Sequence, residues 1–546
     1  MGRIFFPQFK KGKSGFKVHP GLSILDYIRD NGLEIHAECG GHGICGKCVV
    51  RVDTGSGNLN ELTVAERKFP LNERERLACQ ARVIRDEHDI VVFIKDFGTY
   101  EILKYGMERE IPLSPCCLKR GNCVFYGKEK LAEYQGKIYG LAIDVGTTTL
   151  VFDLVDLETG NILATIARTN PQISYGNDVI SRIEYTLIDR GNARYLPVEQ
   201  RRSRLKQLQK AVVEGINSGL KELSTEMNEA VGQFIYDVVV VGNSTMRNIF
   251  LGLDVSSLGL KPFEPVHPEP ITVAPEEIGL SVNPQARIYG APLIGGHVGA
   301  DILADILASE MYKQEELSLM VDIGTNGELV LGNKHRLITA SCAAGGAFEG
   351  NAVSCGTGAI EGAIKEIRLL NGKAIYSTIG NKHPVGVCGS GLIDLLAELL
   401  RRGLMNSKAR IESDFYITPE LKITQQDIFQ LITSKSAMKT GTEILLAYYP
   451  AREDELRRIY LSGGFGNFID TANAMVIGLL PRVPEERVVK IGNGALEGAR
   501  EMLLCLECRQ MAEKIARQVV HVRTNELEND FDYLIARNMY FYDQEQ

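Results

Sequence analysis

The chain has 546 residues, 44% of them hydrophobic and 24% charged, with a net charge of −8 and a pI near 5.8. That length suggests three to four ordinary units with real cores, and an acidic balance without a long basic run excludes a nucleic-acid platform. No apolar stretch reaches a membrane span, the start Met1-Gly-Arg-Ile-Phe-Phe-Pro is too short for a signal peptide, and cysteines in so long a chain read as reduced cytoplasmic thiols.

Ile4-Phe5-Phe6 and Phe16-Lys17-Val18 read as two strands about a turn at residues 11–15. A helix from Ile24 to Asp30 follows, apolar at Ile24, Leu25 and Ile28 and stopped by Asn31-Gly32. Next comes Cys39-x5-Cys45-x2-Cys48 in a glycine-rich loop, then a strand at residues 49–52, a returning Cys79, and a closing strand at 90–94. Four thiolates at this spacing suit a [2Fe-2S] cluster, three on one loop and the fourth from a later segment. Gly40, Gly41, Gly43 and Gly46 let the backbone wrap closely and aim N–H groups at cluster sulfurs. Zinc is the alternative, but structural zinc cysteines usually come as two C-x2-C-like pairs. Residues 1–96 resemble the [2Fe-2S] ferredoxin family, which implies a β-grasp fold and one-electron transfer. His42 reads as a spectator in the loop.

Residues 97–137 read as a linker; its Cys116, Cys117 and Cys123 lack a fourth metal ligand. Beyond it one device occurs twice. An apolar strand ends in Asp144-Val-Gly146-Thr147-Thr148-Thr149 and turns into a second strand; the same grammar recurs at Asp322-Ile-Gly324-Thr325-Asn326-Gly327. The repeat suggests a duplicated domain. Its logic is phosphate binding: glycine permits close approach, hydroxyls and turn N–H groups bind phosphate oxygens, and the aspartate can hold a Mg²⁺ water shell. Gly242-Asn243-Ser244 makes another strand-to-helix turn. No G-x-G-x-x-G or G-x4-G-K-[ST] follows a strand, so Rossmann and Walker readings fail. Residues 497–515 read as one helix with Cys505 and Cys508 a turn apart, a weak second cluster site. Cys342, Cys355 and Cys388 read as small packing residues.

This second half resembles the superfamily of acetate and sugar kinases, heat-shock chaperones and actin. The resemblance implies duplicated ribonuclease-H-like domains over residues 138–318 and 319–546, together with ATP and Mg²⁺. It makes Asp144 and Asp322 the catalytic carboxylates, with Gly146, Thr147, Thr148, Thr149, Gly324, Thr325 and Asn326 around the phosphates. The strand from Ile459 into Gly463, Gly464 and Phe465 would be the adenosine motif. Gly492, Asn493 and Gly494 would form the second connecting turn, and Gly295-Gly-His-Val-Gly-Ala-Asp301 the first.

The two modules on one chain resemble the reductive activators of corrinoid enzymes. Asn170-Pro-Gln-x2-Tyr175-Gly176-x-Asp178, Ala344-Gly-Gly-Ala-Phe348-Glu349 and Cys388-Gly-Ser-Gly391-Leu-Ile-Asp394 extend that resemblance. It implies ATP-dependent reduction of cobalt(II) to cobalt(I) in a corrinoid protein of a methyltransferase system, through a [2Fe-2S] cluster on Cys39, Cys45, Cys48 and Cys79. The implied partners are that corrinoid protein and an external electron donor, with no nucleic acid and no membrane; a homodimer stays open. Some members carry a middle domain between ferredoxin and ATPase, for which the short linker leaves little room. Two alternatives remain: an ATP-driven electron donor to another low-potential enzyme such as a 2-hydroxyacyl-CoA dehydratase, and a small-molecule kinase with a redox-sensing ferredoxin.

Overall fold

The structure is a computed structural model that describes every residue except 1, 10, 34, 36, 38, 70, 95–109, 190–193, 325, 351, 464–465, 525–529 and 542–546. The chain divides into two compact units: Met1–Gly98 with Thr169–Gly215, and Thr99–Arg168 with Ile216–Gln546.

In the first unit a five-stranded sheet runs in the order Phe16–Lys17, Arg3–Phe5, Ile90–Ile94, Val49–Thr54, Glu75–Leu77. The pair Arg3–Phe5 and Ile90–Ile94 is parallel and the other pairings are antiparallel. Helix Ile24–Asp30 starts at a capping box, Ser23 with Asp26, which satisfies N–H groups that the first turn leaves open. Its apolar face, Ile24, Leu25 and Ile28, enters a core with Ile4, Phe6, Val50, Val52, Ile90 and Val92. Glu66, 1% exposed, pairs with Arg76 at 2.8 Å and accepts from Leu77 N at 3.1 Å. That buried pair pins the strand that leads into Cys79.

Residues 169–215 complete this unit. Asn170 caps the turn Pro171–Ser174, and Asp178 with Ser181 caps helix Val179–Leu187. Fully buried Arg182 donates to Gly176 O at 2.8 Å and to Gln172 Oε1 at 3.0 Å. The polar run from Asn170 to Arg182 is thus a hydrogen-bonded corner, with Gln172 Nε2 also donating to Leu208 O and Ser174 Oγ to Ile35 O, as buried donors require.

The second unit holds two six-stranded sheets that share a five-strand core order and differ in the edge on which the sixth strand pairs. The first runs Ile162–Thr169, Thr149–Asp156, Tyr139–Val145, Ile235–Val241, Arg287–Gly290, Ile271–Val273; the second runs Val488–Gly492, Arg458–Ser462, Ser318–Ile323, Gly327–Asn333, Arg336–Cys342, Val520–His521. Each begins with an antiparallel hairpin whose first strand then pairs in parallel with a later strand. The sheet in each half packs helices on its faces, and Gly498 lets helix Gly494–Leu504 close onto helix Ala300–Ser309: a Cβ there would lie 2.2 Å from Ala304 O.

Residues 110–137 carry strands Cys117–Arg120, Cys123–Tyr126 and Glu129–Glu133 as one sheet. Cys117 is buried in the core beneath it, and Cys123 stands at the opposite end of the first hairpin, across from Arg120. Ser114 bridges to Cys505, donating its N–H to Leu504 O and accepting from Leu506 N. The expected single helix at 497–515 is corrected here: it is two helices, Gly494–Leu504 and Leu506–Gln518, broken at Cys505. The strand-like Cys505 (φ −138°, ψ 111°) is held extended by that bridge, and its Sγ caps the new helix by accepting from Cys508 N at 3.0 Å. With Cα atoms 5.1 Å apart the two cysteines form a disulfide, within the reach that such a bond allows. The all-thiol expectation is corrected at this pair.

Buried Arg509 then ties helix Leu506–Gln518 to the first sheet, meeting Asp237 at 2.8 Å with both side chains almost wholly enclosed. Breaking such a pair costs about 3–5 kcal/mol because the survivor is a buried, uncompensated charge.

Candidate functional site

Helix Ile24–Asp30 and strand Val49–Thr54 flank the cysteine loop of the first unit. Gly40, Gly41, Gly43 and Gly46 all take positive φ, which turns the loop inward on its own N–H groups. Cys45 Sγ donates to Cys39 Sγ at 3.4 Å. That bond, joined by backbone N–H groups from Ile44, Cys45 and Gly41, draws the Cys39 thiol down to about 4. Cys48 donates likewise to Cys79, whose pKa also falls. The sulfurs thus form two pairs, Cys39 with Cys45 and Cys48 with Cys79, which matches two thiolates for each of two irons. Among the described residues no three His, Cys, Asp or Glu side chains converge on a single-ion site. The donor set and its ring of N–H groups fit a two-iron cluster.

In the second unit a cavity of about 290 Å³ lies where the two hairpin turns face each other. Asp144, Gly146, Thr147, Thr148 and Thr149 line it from the first turn; Asp322, Gly324 and Asn326 line it from the second. Gly463 and Asn493 add to the wall. Gly492 and Gly494 stand behind that wall rather than in it. Gly492 O accepts from Gly463 N at 3.1 Å, and Gly494 opens the helix where a Cβ would sit 2.3 Å from Asp305 Oδ1. Thr325, Gly464 and Phe465 lie outside the described residues. Gly463 has φ +93°, and a Cβ there would approach Asp322 Oδ1 to 2.5 Å, so only hydrogen fits.

The polar contacts order the first turn. Asn493 Nδ2 donates to Asp144 Oδ2 at 3.2 Å and Asn243 Nδ2 donates to Thr147 Oγ1 at 3.1 Å. In the second hairpin Asp322 is in register with Glu328, which also lines the cavity with Asp301. Burial pushes Asp144 up to about 6 against the Asn493 hydrogen bond. Burial, then the charges of Asp144 and Glu349, pushes Asp322 up to about 7. Asp301 rises to about 8 through burial and Asp322, and Glu328 and Asp305 are also raised, chiefly through burial. Carboxyls forced together out of water either keep protons or gain a cation. Since no three of these carboxyls converge on one ion among the described residues, the oxygen donors fit a Mg²⁺ held through its own water shell.

Asn243, Asp301 and Glu328 escaped selection as site residues from the sequence. Glu328 was recoverable: strand alternation about a turn at residues 324–327 places it directly across from Asp322. Cys388 lines the cavity, whereas Cys342 and Cys355 are buried in the core.

The family model for the C-terminal domain of RACo, the ASKHA domain, matches residues 316–546. The RACo middle-region model matches 139–314, and the 2Fe-2S iron-sulfur cluster binding domain matches 9–83. The corrinoid activation enzyme RamQ of Eubacterium limosum is 31% identical, across 95% of this chain and 96% of its own length. The chain belongs to the family of corrinoid activation enzymes. A second relative in that direction is the [Co(II) methylated amine-specific corrinoid protein] reductase of Methanosarcina barkeri, 25% identical over 72% of this chain and 76% of that one. A solved reductive activator for corrinoid,iron-sulfur protein superposes with a TM-score of 0.71 at 27% identity, covering 99% of this chain and 98% of that one. The family's middle region falls on the first sheet-bearing half, not on the segment between ferredoxin and ATPase. The second half is an ASKHA domain, the superfamily that the paired hairpins resemble.

Proposed function

We propose that this protein reduces a corrinoid protein from cobalt(II) to cobalt(I), one electron at a time, and couples that step to ATP hydrolysis. What carries the reading is the presence on one chain of two paired-sulfur sites and a carboxylate-lined cleft between duplicated phosphate turns. Bound at Cys39, Cys45, Cys48 and Cys79, a [2Fe-2S] cluster supplies a single low-potential electron. A plant-type cluster lies at about −400 mV and the cobalt(II)/cobalt(I) couple of corrinoids generally lies lower. Each 100 mV uphill costs about 2.3 kcal/mol per electron, so the transfer needs work from another source.

The cleft residues supply it. Thr147, Thr148 and Thr149 present hydroxyls and N–H groups to phosphate oxygens. Asn243 orients Thr147 and Asn493 orients Asp144. Asp144 and Asp322 would hold Mg²⁺ through its water shell, and the ion neutralises phosphate charge when bound. Gly463 leaves room on the adenosine side. Because ATP hydrolysis yields work and no electrons, an external reductant reloads the cysteine loop after each turnover.

The test is anaerobic reduction of a cobalt(II) corrinoid protein from a methyltransferase system, followed by its cobalt(I) spectrum. Conversion should require both a reduced loop and hydrolysable ATP. Conversion without ATP, a phosphorylated metabolite as product, or activation of a dehydratase alone would overturn the reading.

A further inference from the structure

Arg29 lies in the last turn of helix Ile24–Asp30, half-buried, with burial pulling its pKa down. Its Nη2 donates to Gly40 O, inside the cysteine loop, at 3.0 Å. Its Nε donates to Ser174 O. The guanidinium carbon stands 5.5 Å from the Tyr175 ring centre and 5.8 Å from that of Tyr185, and those rings meet edge to face at 5.1 Å. Both contacts lie in the range where a ring face attracts a cation. Asp26 acts on it from a distance but is engaged with Ser23, and no described carboxylate forms an ion pair with it. Its direct partners are therefore neutral. Among the charges it does feel is Cys79.

We propose that Arg29 is a positioning residue that raises the reduction potential of the cluster, and that residues 170–185 are built to hold it there. It rests on the reading of the loop as a [2Fe-2S] site. Reduction adds one negative charge to the cluster, so a fixed nearby cation stabilises the reduced form. Arginine keeps its charge when desolvated, and its fork spans two carbonyls that a lysine could not bridge. One of those carbonyls belongs to the loop and the other to the segment that continues directly from strand Ile162–Thr169 of the nucleotide-binding half. His42 and Glu184 approach to 3.9 Å as a second tie between loop and segment. Releasing Ser174 and the two tyrosines would free the guanidinium and leave the cluster a stronger reductant.

The experiment is an EPR-monitored redox titration of the full-length protein. For Arg29→Gln, the ratio of reduced to oxidised cluster at fixed potential should fall about tenfold, a shift of ~59 mV for a one-electron couple. Tyr185→Glu sets a negative charge facing the guanidinium and should shift the ratio in the same direction. Arg29→Lys keeps the charge and should stay within about twofold of native. If Arg29→Gln assembles no cluster, Tyr185→Glu decides. A native midpoint in the charge-altering variants, with full signal, overturns the inference; equal shifts in Arg29→Gln and Arg29→Lys would too, by making shape rather than charge responsible. A native protein with no rhombic signal would instead overturn the iron–sulfur reading beneath it.

Discussion

The two phosphate hairpins share a turn and a topology, yet they carry opposite chemistry. Across from Asp144 stands Val151, and across from Asp322 stands Glu328. The first turn offers three hydroxyls and one carboxylate steadied by a neutral amide, Asn493. The second gathers acid: Asp322 feels Asp144 and Glu349, and both Asp301 and Glu328 feel Asp322. On two similar hairpins, the identity of one cross-strand partner, Val151 or Glu328, separates a hydroxyl-rich turn from a carboxyl-rich one. Topology is shared; charge density is what differs.

The strongest way to break that contrast is to remove each aspartate. Asp322→Ala should lower the ATP hydrolysis rate about 10³-fold and Asp144→Ala about 10²-fold, the scale seen when one preorganised electrostatic group is lost. Both should leave the visible spectrum of the cysteine loop unchanged, and equal losses would erase the asymmetry. Glu328→Gln sharpens it: it should lower the rate about tenfold and raise the Mg²⁺ concentration needed for half-maximal hydrolysis, whereas Val151→Ala should leave that concentration unchanged.

The smallest expected effect is on stability. With Asp322 raised to about 7, the metal-free folded state holds a proton that the unfolded chain releases near the ordinary carboxylate value. Its contribution is therefore fully present at low pH and is lost as pH rises through about 7. Metal-free protein should melt about 2–4 °C lower at pH 8 than at pH 5.5 relative to Asp322→Asn, and Mg²⁺ should restore the difference by binding only the folded state. A melting curve with the opposite slope would show that another group dominates.

Much of this was legible because the signals are local. Cys39, Cys45, Cys48 and Cys79 stand out by spacing, and Asp144 and Asp322 by a shared Asp-x-Gly-Thr pattern at the ends of apolar strands. The helix Ile24–Asp30 follows from its apolar period and its Asn-Gly stop, as found. What escaped depends on pairing between distant segments. Nothing near Cys505 reveals that Ser114 will hold it extended and split a continuous helical pattern. Nothing in residues 1–96 reveals that Thr169–Gly215 joins the same compact unit, because the contacts that join them, Ser174 to Ile35 O and Arg29 to Ser174 O, run between segments far apart in the chain. Glu328 lay between these extremes, visible once register is considered and invisible to motif matching.

The make-up of the first unit also bears on how the protein is born. Its last segment ends at Gly215, so the whole of the first unit has been synthesised only after residues 99–168 of the second unit. More than three hundred residues then follow, which at roughly 5–20 residues per second is on the order of half a minute of synthesis. When Gly215 has been added, the second hairpin turn at Asp322 is still to be made. The order of synthesis thus places the four cysteines, and every segment of their unit, ahead of the second half of the cleft.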